Sequence, residues 1–70
     1  MTFGTIVLVQ RGGGAPPGQP GCTRMVRGVL VGARGKQRRV RLLDDDPLDT
    51  VGWRWAGDVG WWYASAVKEA

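Results

Sequence analysis

The residues best suited to chemistry in this sequence are basic, and they crowd one stretch of the chain. From Arg11 to Arg41 there are eight basic residues and no acid, whereas five of the six acidic residues lie between positions 44 and 58. A planar guanidinium group forms paired hydrogen bonds to phosphate oxygens, so this stretch predicts a nucleic-acid-binding surface. The alternative is that the arginines only keep exposed strands soluble. The candidate binding residues are Arg24, Arg27, Arg34, Lys36, Arg38, Arg39 and Arg41.

A second candidate site is the aromatic cluster formed by Trp53, Trp55, Trp61, Trp62 and Tyr63. Side chains alternate along a strand, so Trp61 and Tyr63 must face away from Trp62. A core built from 70 residues can hardly bury four tryptophans, and we therefore expect an aromatic binding surface made by Trp55, Trp62 and Tyr63. Such rings can stack on nucleobases, on a peptide proline or in a subunit interface.

The sequence lacks most of the residues that form common catalytic and metal-binding sites. The chain has no histidine and one cysteine, Cys22, which excludes an internal disulfide, imidazole-based catalysis and the common zinc sites. We expect a non-enzymatic protein with no cofactor. The run Asp44-Asp45-Asp46-Pro47 predicts a solvated acidic turn that screens or pairs with the hairpin arginines, and a divalent-ion site is the minor alternative.

The element that must position the basic residues is a long β-hairpin. Its strands are predicted from Arg24 to Ala33 and from Arg38 to Leu43, with Gly35 supplying the positive φ that a tight loop requires. In the second strand Val40 and Leu42 alternate with arginines, which is typical of a half-buried strand.

The remaining elements follow from local composition. Phe3 to Gln10 predicts a first strand, and the Gly/Pro-rich segment 12–21 predicts a flexible loop. Val51 to Trp55 predicts a short strand, and Trp61 to Tyr63 another. Residues 64–66 predict one tight turn that returns the chain to the sheet. The predicted core, beside some of the tryptophans, is Ile6, Leu8, Val29, Val31, Val40, Leu42 and Val67.

This order of elements predicts a single all-β domain over residues 1–70, an SH3-like barrel of about five strands with one tight helical turn before the last strand. The hairpin and the ending Gly60-Trp61-Trp62-Tyr63-Ala64-Ser65-Ala66-Val67 resemble small phage and plasmid SH3-like proteins. Type II dihydrofolate reductases resemble such barrels, and their active surface is a Val-Gln-Ile-Tyr run in the last long strand. The matching Gly60-Trp61-Trp62-Tyr63 keeps the tyrosine and lacks the glutamine and isoleucine, so the resemblance does not imply reductase activity.

The favoured function is a small binding module of phage or mobile-element type whose partner is nucleic acid, held by the hairpin arginines and stacked on Trp62 or Trp55. One alternative is an inhibitor or adaptor of a host or defence protein that uses the aromatic cluster. A further alternative is an oligomer that binds a nucleotide ligand. The apolar run Ile6 to Val9 is too short to cross a membrane and no signal-peptide pattern is found, so we expect a cytoplasmic protein. The small core would gain from a partner, which makes a homo-oligomer possible.

Overall fold

The fold is one antiparallel sheet of five strands, seen in a computed structural model that describes residues 2–49 and 55–70. The strands pair in the order β4-β3-β2-β1-β5, and the 3₁₀ turn Ala64–Ala66 lies directly before the last strand. The predicted all-β class, with about five strands and one tight helical turn before the last strand, is confirmed. The strand bounds are β1 Ile6–Arg11, β2 Arg24–Arg34, β3 Gln37–Leu42, β4 Val59–Tyr63 and β5 Val67–Glu69.

The hairpin formed by β2 and β3 has the predicted loop. Arg34 pairs with Gln37, which leaves a two-residue loop, and Gly35 has a φ of 57°. Glycine takes this positive φ without the steric cost that a Cβ atom would bring. A register shift between Leu30 and Gly32 leaves Val31 outside the regular pairing, and Val31 is exposed.

The hydrophobic core lies on one face of the sheet and includes only part of the predicted set. Its buried members are Val7, Val9, Val26, Leu30, Val40, Leu42 and Val67. The last three were predicted and are confirmed.

The core prediction was wrong for Ile6, Leu8, Val29 and Val31, none of which is buried. Strand β1 is apolar on both faces, so alternation alone does not say which face is buried. Pairing decides it, because Val9 lies opposite Val26 on the core side while Ile6 lies opposite Val29 on the outer side.

The second half of the chain follows the predicted order where it is described. The aromatic run lies in β4, the turn at 64–66 is present, and Val67 returns to pair with Val9. The predicted strand from Val51 to Trp55 lies outside the described residues except for Trp55, which is in a bend. Trp53 also lies outside them.

Segment 12–21 contains no strand and makes one isolated bridge, between Ala15 and Cys22. Backbone hydrogen bonds run from the Gly13 N–H to the Gly21 carbonyl at 2.7 Å and from the Gly21 N–H to the Leu48 carbonyl at 2.8 Å. The base of this loop is therefore joined to Leu48, directly after the acidic turn. That the loop is flexible stays a prediction. No helix in the described part of the chain has the length or apolar character needed to cross a membrane.

Candidate nucleic-acid interface

The face of the sheet opposite the core carries a strip of basic and aromatic side chains. Because paired residues in an antiparallel sheet share a face, the pairing defines three adjoining rows on β4, β3 and β2. None of the outward-facing strand residues that the structure describes is acidic. We call this strip the basic face, and its rows are Tyr63-Gln37-Arg34, Trp61-Arg39-Gly32 and Val59-Arg41-Val29.

Trp61 is the centre of the basic face. The guanidinium carbon of Arg34 lies 4.8 Å from the centre of the Trp61 ring, and that of Arg39 lies 6.0 Å from it. At an exposed site each such contact contributes about 0.5–1 kcal/mol. The contacts also restrict two flexible side chains that would otherwise separate because of their like charges. Both cations are therefore held beside the Trp61 ring on the surface.

Arg41 and Lys36 extend the positive charge of this strip. Arg41 is the next outward residue of β3 after Arg39, about 7 Å further along the strand. Both Arg41 and Lys36 are exposed. Among the described residues, the ion pairs involve other arginines, so the charges of Arg34, Lys36, Arg39 and Arg41 are not neutralised by them.

Three other predicted binding residues are engaged within the protein. Arg27 makes a bidentate pair with Asp44, with both N–O distances at 2.8 Å. Arg24 donates to both carboxylate oxygens of Asp46 at 2.6 Å. Arg38 donates from Nη1 to the Gly35 carbonyl at 2.9 Å and so supports the hairpin loop. The predicted pairing of the acidic turn with the hairpin arginines is confirmed, and it leaves fewer arginines available to contact phosphates. The prediction that this turn is solvated was wrong for Asp46, because its carboxylate is buried against Arg11 and Arg24.

A buried ion cluster, Arg11-Arg24-Asp46-Asp49, was missed by the sequence analysis. Arg11 is only 6% exposed, and it lies 2.6 Å from Asp46 through Nε and 2.6 Å from Asp49 through Nη2. Its guanidinium also lies over the Trp62 ring, 5.4 Å from the ring centre. The cluster joins the end of β1, the start of β2 and the acidic turn. Its only sequence signal was a basic residue at the end of an apolar strand, which does not reveal burial.

The predicted aromatic surface is divided by the fold. Trp62 is on the core side and packs against the core, as its alternation with Trp61 and Tyr63 allows. Tyr63 is outward and 67% exposed. Trp55 is 57% exposed in the bend before β4, where its backbone N–H donates to Asp58 Oδ2 at 3.0 Å. Trp61, which was not in the predicted surface, is the indole that contacts the surface arginines.

The three consecutive aspartates have separate partners. Asp44 pairs with Arg27, Asp46 lies in the buried ion cluster, and Asp45 Oδ1 accepts a hydrogen bond from the Ala56 N–H at 2.8 Å. In residues 2–49 and 55–70 no three potential ligands are grouped as a metal site would require.

A small, largely open cavity of about 200 Å³ lies beside the hairpin loop at one end of the basic face. It is lined by Lys36, Tyr63, Ala64 and Ser65. The Ala64 N–H donates to the Lys36 carbonyl at 2.8 Å, which holds the 3₁₀ turn against the hairpin loop.

Comparisons of this chain with protein-family models, with curated proteins and with solved structures found no significant match.

Proposed function

We propose that the protein is a small cytoplasmic, non-enzymatic module, of phage or mobile-element type, that binds nucleic acid through its basic face. The observation that carries this proposal is the pair of guanidinium groups held on Trp61 within a face whose described strand residues include no acid. The phosphate-contacting residues are Arg34, Lys36, Arg39 and Arg41.

The physical basis is electrostatic attraction to phosphates, with release of the counterions around them. Each guanidinium can form two parallel hydrogen bonds to phosphate oxygens, whereas the Lys36 ammonium acts as a point charge. Because Arg34 and Arg39 are already restricted by Trp61, they lose less side-chain entropy on binding than free arginines would.

Titration of binding against salt tests the proposal. With four phosphates neutralised, the logarithm of the affinity for a single strand should fall against the logarithm of salt with a slope of about −3. The matched variants are Lys36→Gln and Lys68→Gln, which remove the same charge. Lys36 lies in the loop between β2 and β3, whereas Lys68 lies on the edge strand β5, which β1 separates from β2.

We expect Lys36→Gln to make this slope shallower by about 0.7 and Lys68→Gln to leave it unchanged. Equal effects of the two variants would mean that net charge alone attracts the nucleic acid. Absence of binding at low salt would overturn the proposal.

A second candidate is an inhibitor or adaptor that binds a host protein. It is favoured by Ile6, which is 42% exposed and lies beside Val29 on the same outer side of the sheet. Apolar residues bordered by arginines are typical of a protein interface. In this case Ile6→Ser would weaken the protein complex, whereas under the nucleic-acid proposal it would leave nucleic-acid affinity unchanged.

A further inference from the structure

The cavity beside the hairpin loop continues the basic face. Tyr63, which lines it, belongs to the same row as Arg34, and the next row contains Trp61 and Arg39. A strand of nucleic acid whose phosphates contact Arg34 and Arg39 would therefore pass close to the cavity.

The size of the cavity limits what it can hold. Its volume of about 200 Å³ is below the roughly 300–1,000 Å³ typical of sites that enclose drug-sized ligands. A single planar ring system is an occupant of suitable size, whereas a duplex is not.

The lining of the cavity matches the chemistry of a nucleobase. The Tyr63 ring and the Ala64 methyl group offer apolar surface for a base plane. Ser65 and Lys36 also line the cavity, and they carry a hydroxyl that can hydrogen-bond to a base edge and an ammonium group that can bind a phosphate.

Tyr63 is better placed than Trp61 and Trp62 to stack on a base. Its side chain is 67% exposed, whereas Trp61 is half-buried beneath two guanidinium groups and Trp62 packs against the core. Stacking on aromatic side chains tolerates any base, because every base has a π-face.

We infer that this cavity is a subsite for one unpaired nucleobase, and that the ligand of the basic face is single-stranded nucleic acid. The inference rests on the proposed function and specifies its ligand. A base within a duplex is stacked between its neighbours and must be extruded before it can enter a pocket, which disfavours duplex binding.

The test measures affinities of the wild-type protein, Tyr63→Ala and Tyr63→Phe for three DNA probes at one salt concentration. The probes are a short single strand of mixed sequence, the duplex of that sequence, and an abasic strand with the same number of phosphates. Tyr63 is exposed, so both variants should fold, and thermal unfolding confirms this for each.

We expect the wild type to bind the single strand more tightly than the duplex. Tyr63→Ala should lose about 5- to 150-fold in affinity for the single strand, the range for one base stacked on an aromatic ring, while Tyr63→Phe keeps most of it. Neither variant should change the affinity for the abasic strand. The wild type should bind the abasic strand weakly, with about the affinity that Tyr63→Ala has for the normal strand.

Three results would overturn the inference. If wild-type protein binds single strand and duplex equally, or if Tyr63→Ala weakens binding to the abasic strand as much as to the normal strand, the cavity is not a base subsite and the proposed function stands. If no probe binds wild-type protein at low salt, the proposed function fails and the inference fails with it.

Discussion

At the scale of single residues, the arginines of this protein divide according to their partners. Arg24 and Arg27 each pair with an aspartate, whereas Arg34 and Arg39 lie over Trp61. An aspartate neutralises the charge of its partner, while an indole leaves the charge available to an anion. The same residue type therefore stabilises the fold at one position and prepares a binding surface at another.

The Arg27–Asp44 pair gives a prediction about pH. The hydrogen bond from Arg27 holds the pKa of Asp44 below its ordinary value. A lowered pKa means that the pair contributes stability above the ordinary carboxyl pKa of about 3.9, and that this contribution is lost as the pH falls through the lower value of the folded state. Because both side chains are well exposed, we expect the stabilising effect to be small.

The measurement is an NMR titration of the Asp44 carboxyl carbon in wild-type protein and in Arg27→Gln. The midpoint should rise toward the ordinary carboxyl value in the variant. An unchanged midpoint would show that the pair does not persist in solution.

Prediction from sequence succeeded at this scale where local periodicity decides the outcome. The opposite orientation of Trp62 relative to its neighbours followed from strand alternation. Alternation does not say which of these aromatic residues faces the core, because that depends on the pairing of β4 with β3. Trp61 was missed as a surface residue for this reason.

At the scale of elements, the joint between β1 and the glycine-rich loop depends on one close approach. Gly12 has a φ of 103°, and a Cβ atom placed on it would lie 1.9 Å from the Cys22 carbonyl oxygen. The neighbouring Gly13 has open space around it and lacks a positive φ. The two glycines therefore have different structural requirements despite being adjacent.

We expect Gly12→Ala to lower the free energy of unfolding by about 2 kcal/mol or more, because the backbone must move to relieve the clash. Gly13→Ala is the matched control and should be neutral or slightly stabilising. Urea unfolding of the two variants measures the difference. Equal values would mean that the loop is not held against Cys22 in solution.

At the scale of the whole molecule, the charged residues that stabilise the fold and those proposed to bind nucleic acid lie on opposite sides of the sheet. The buried ion cluster lies on the core side of the sheet, where it joins two strands and the acidic turn. The basic face lies on the other side. Substitutions in the buried ion cluster should therefore change stability and leave binding largely unchanged. Substitutions in the basic face should change binding and leave stability largely unchanged.

Asp46→Asn tests this separation. Asp46 is 3% exposed and contacts both Arg11 and Arg24, so the variant leaves two poorly compensated cations in a buried site. Loss of one partner from a buried ion pair costs about 3–5 kcal/mol, a large part of the stability of a domain this small.

Chemical denaturation measures the effect, with Asp45→Asn as the matched control. The control should change stability far less, because Asp45 is exposed and an asparagine oxygen can still accept the bond from Ala56. Under conditions where Asp46→Asn is folded, its affinity for a single strand should equal that of the wild type. A stable Asp46→Asn protein, or a folded one with weakened binding, would contradict the separation.

The sequence by itself determined the all-β class, the hairpin and its Gly35 loop, the final turn, the core positions Val40, Leu42 and Val67, and the pairing of the acidic turn with the hairpin arginines. Most of these features depend on backbone conformation and side-chain alternation within a few residues. The pairing of the acidic turn depends on the attraction between opposite charges.

Only the tertiary structure decided which face of β1 is buried, that Arg11 is internal, and that Arg34 and Arg39 meet on Trp61. A strand that is apolar on both sides has no local preference for either face, and its orientation is set by pairing with residues distant in sequence. For the same reason, the separation of the arginines into a buried cluster and an outer face appears only once five strands are in register.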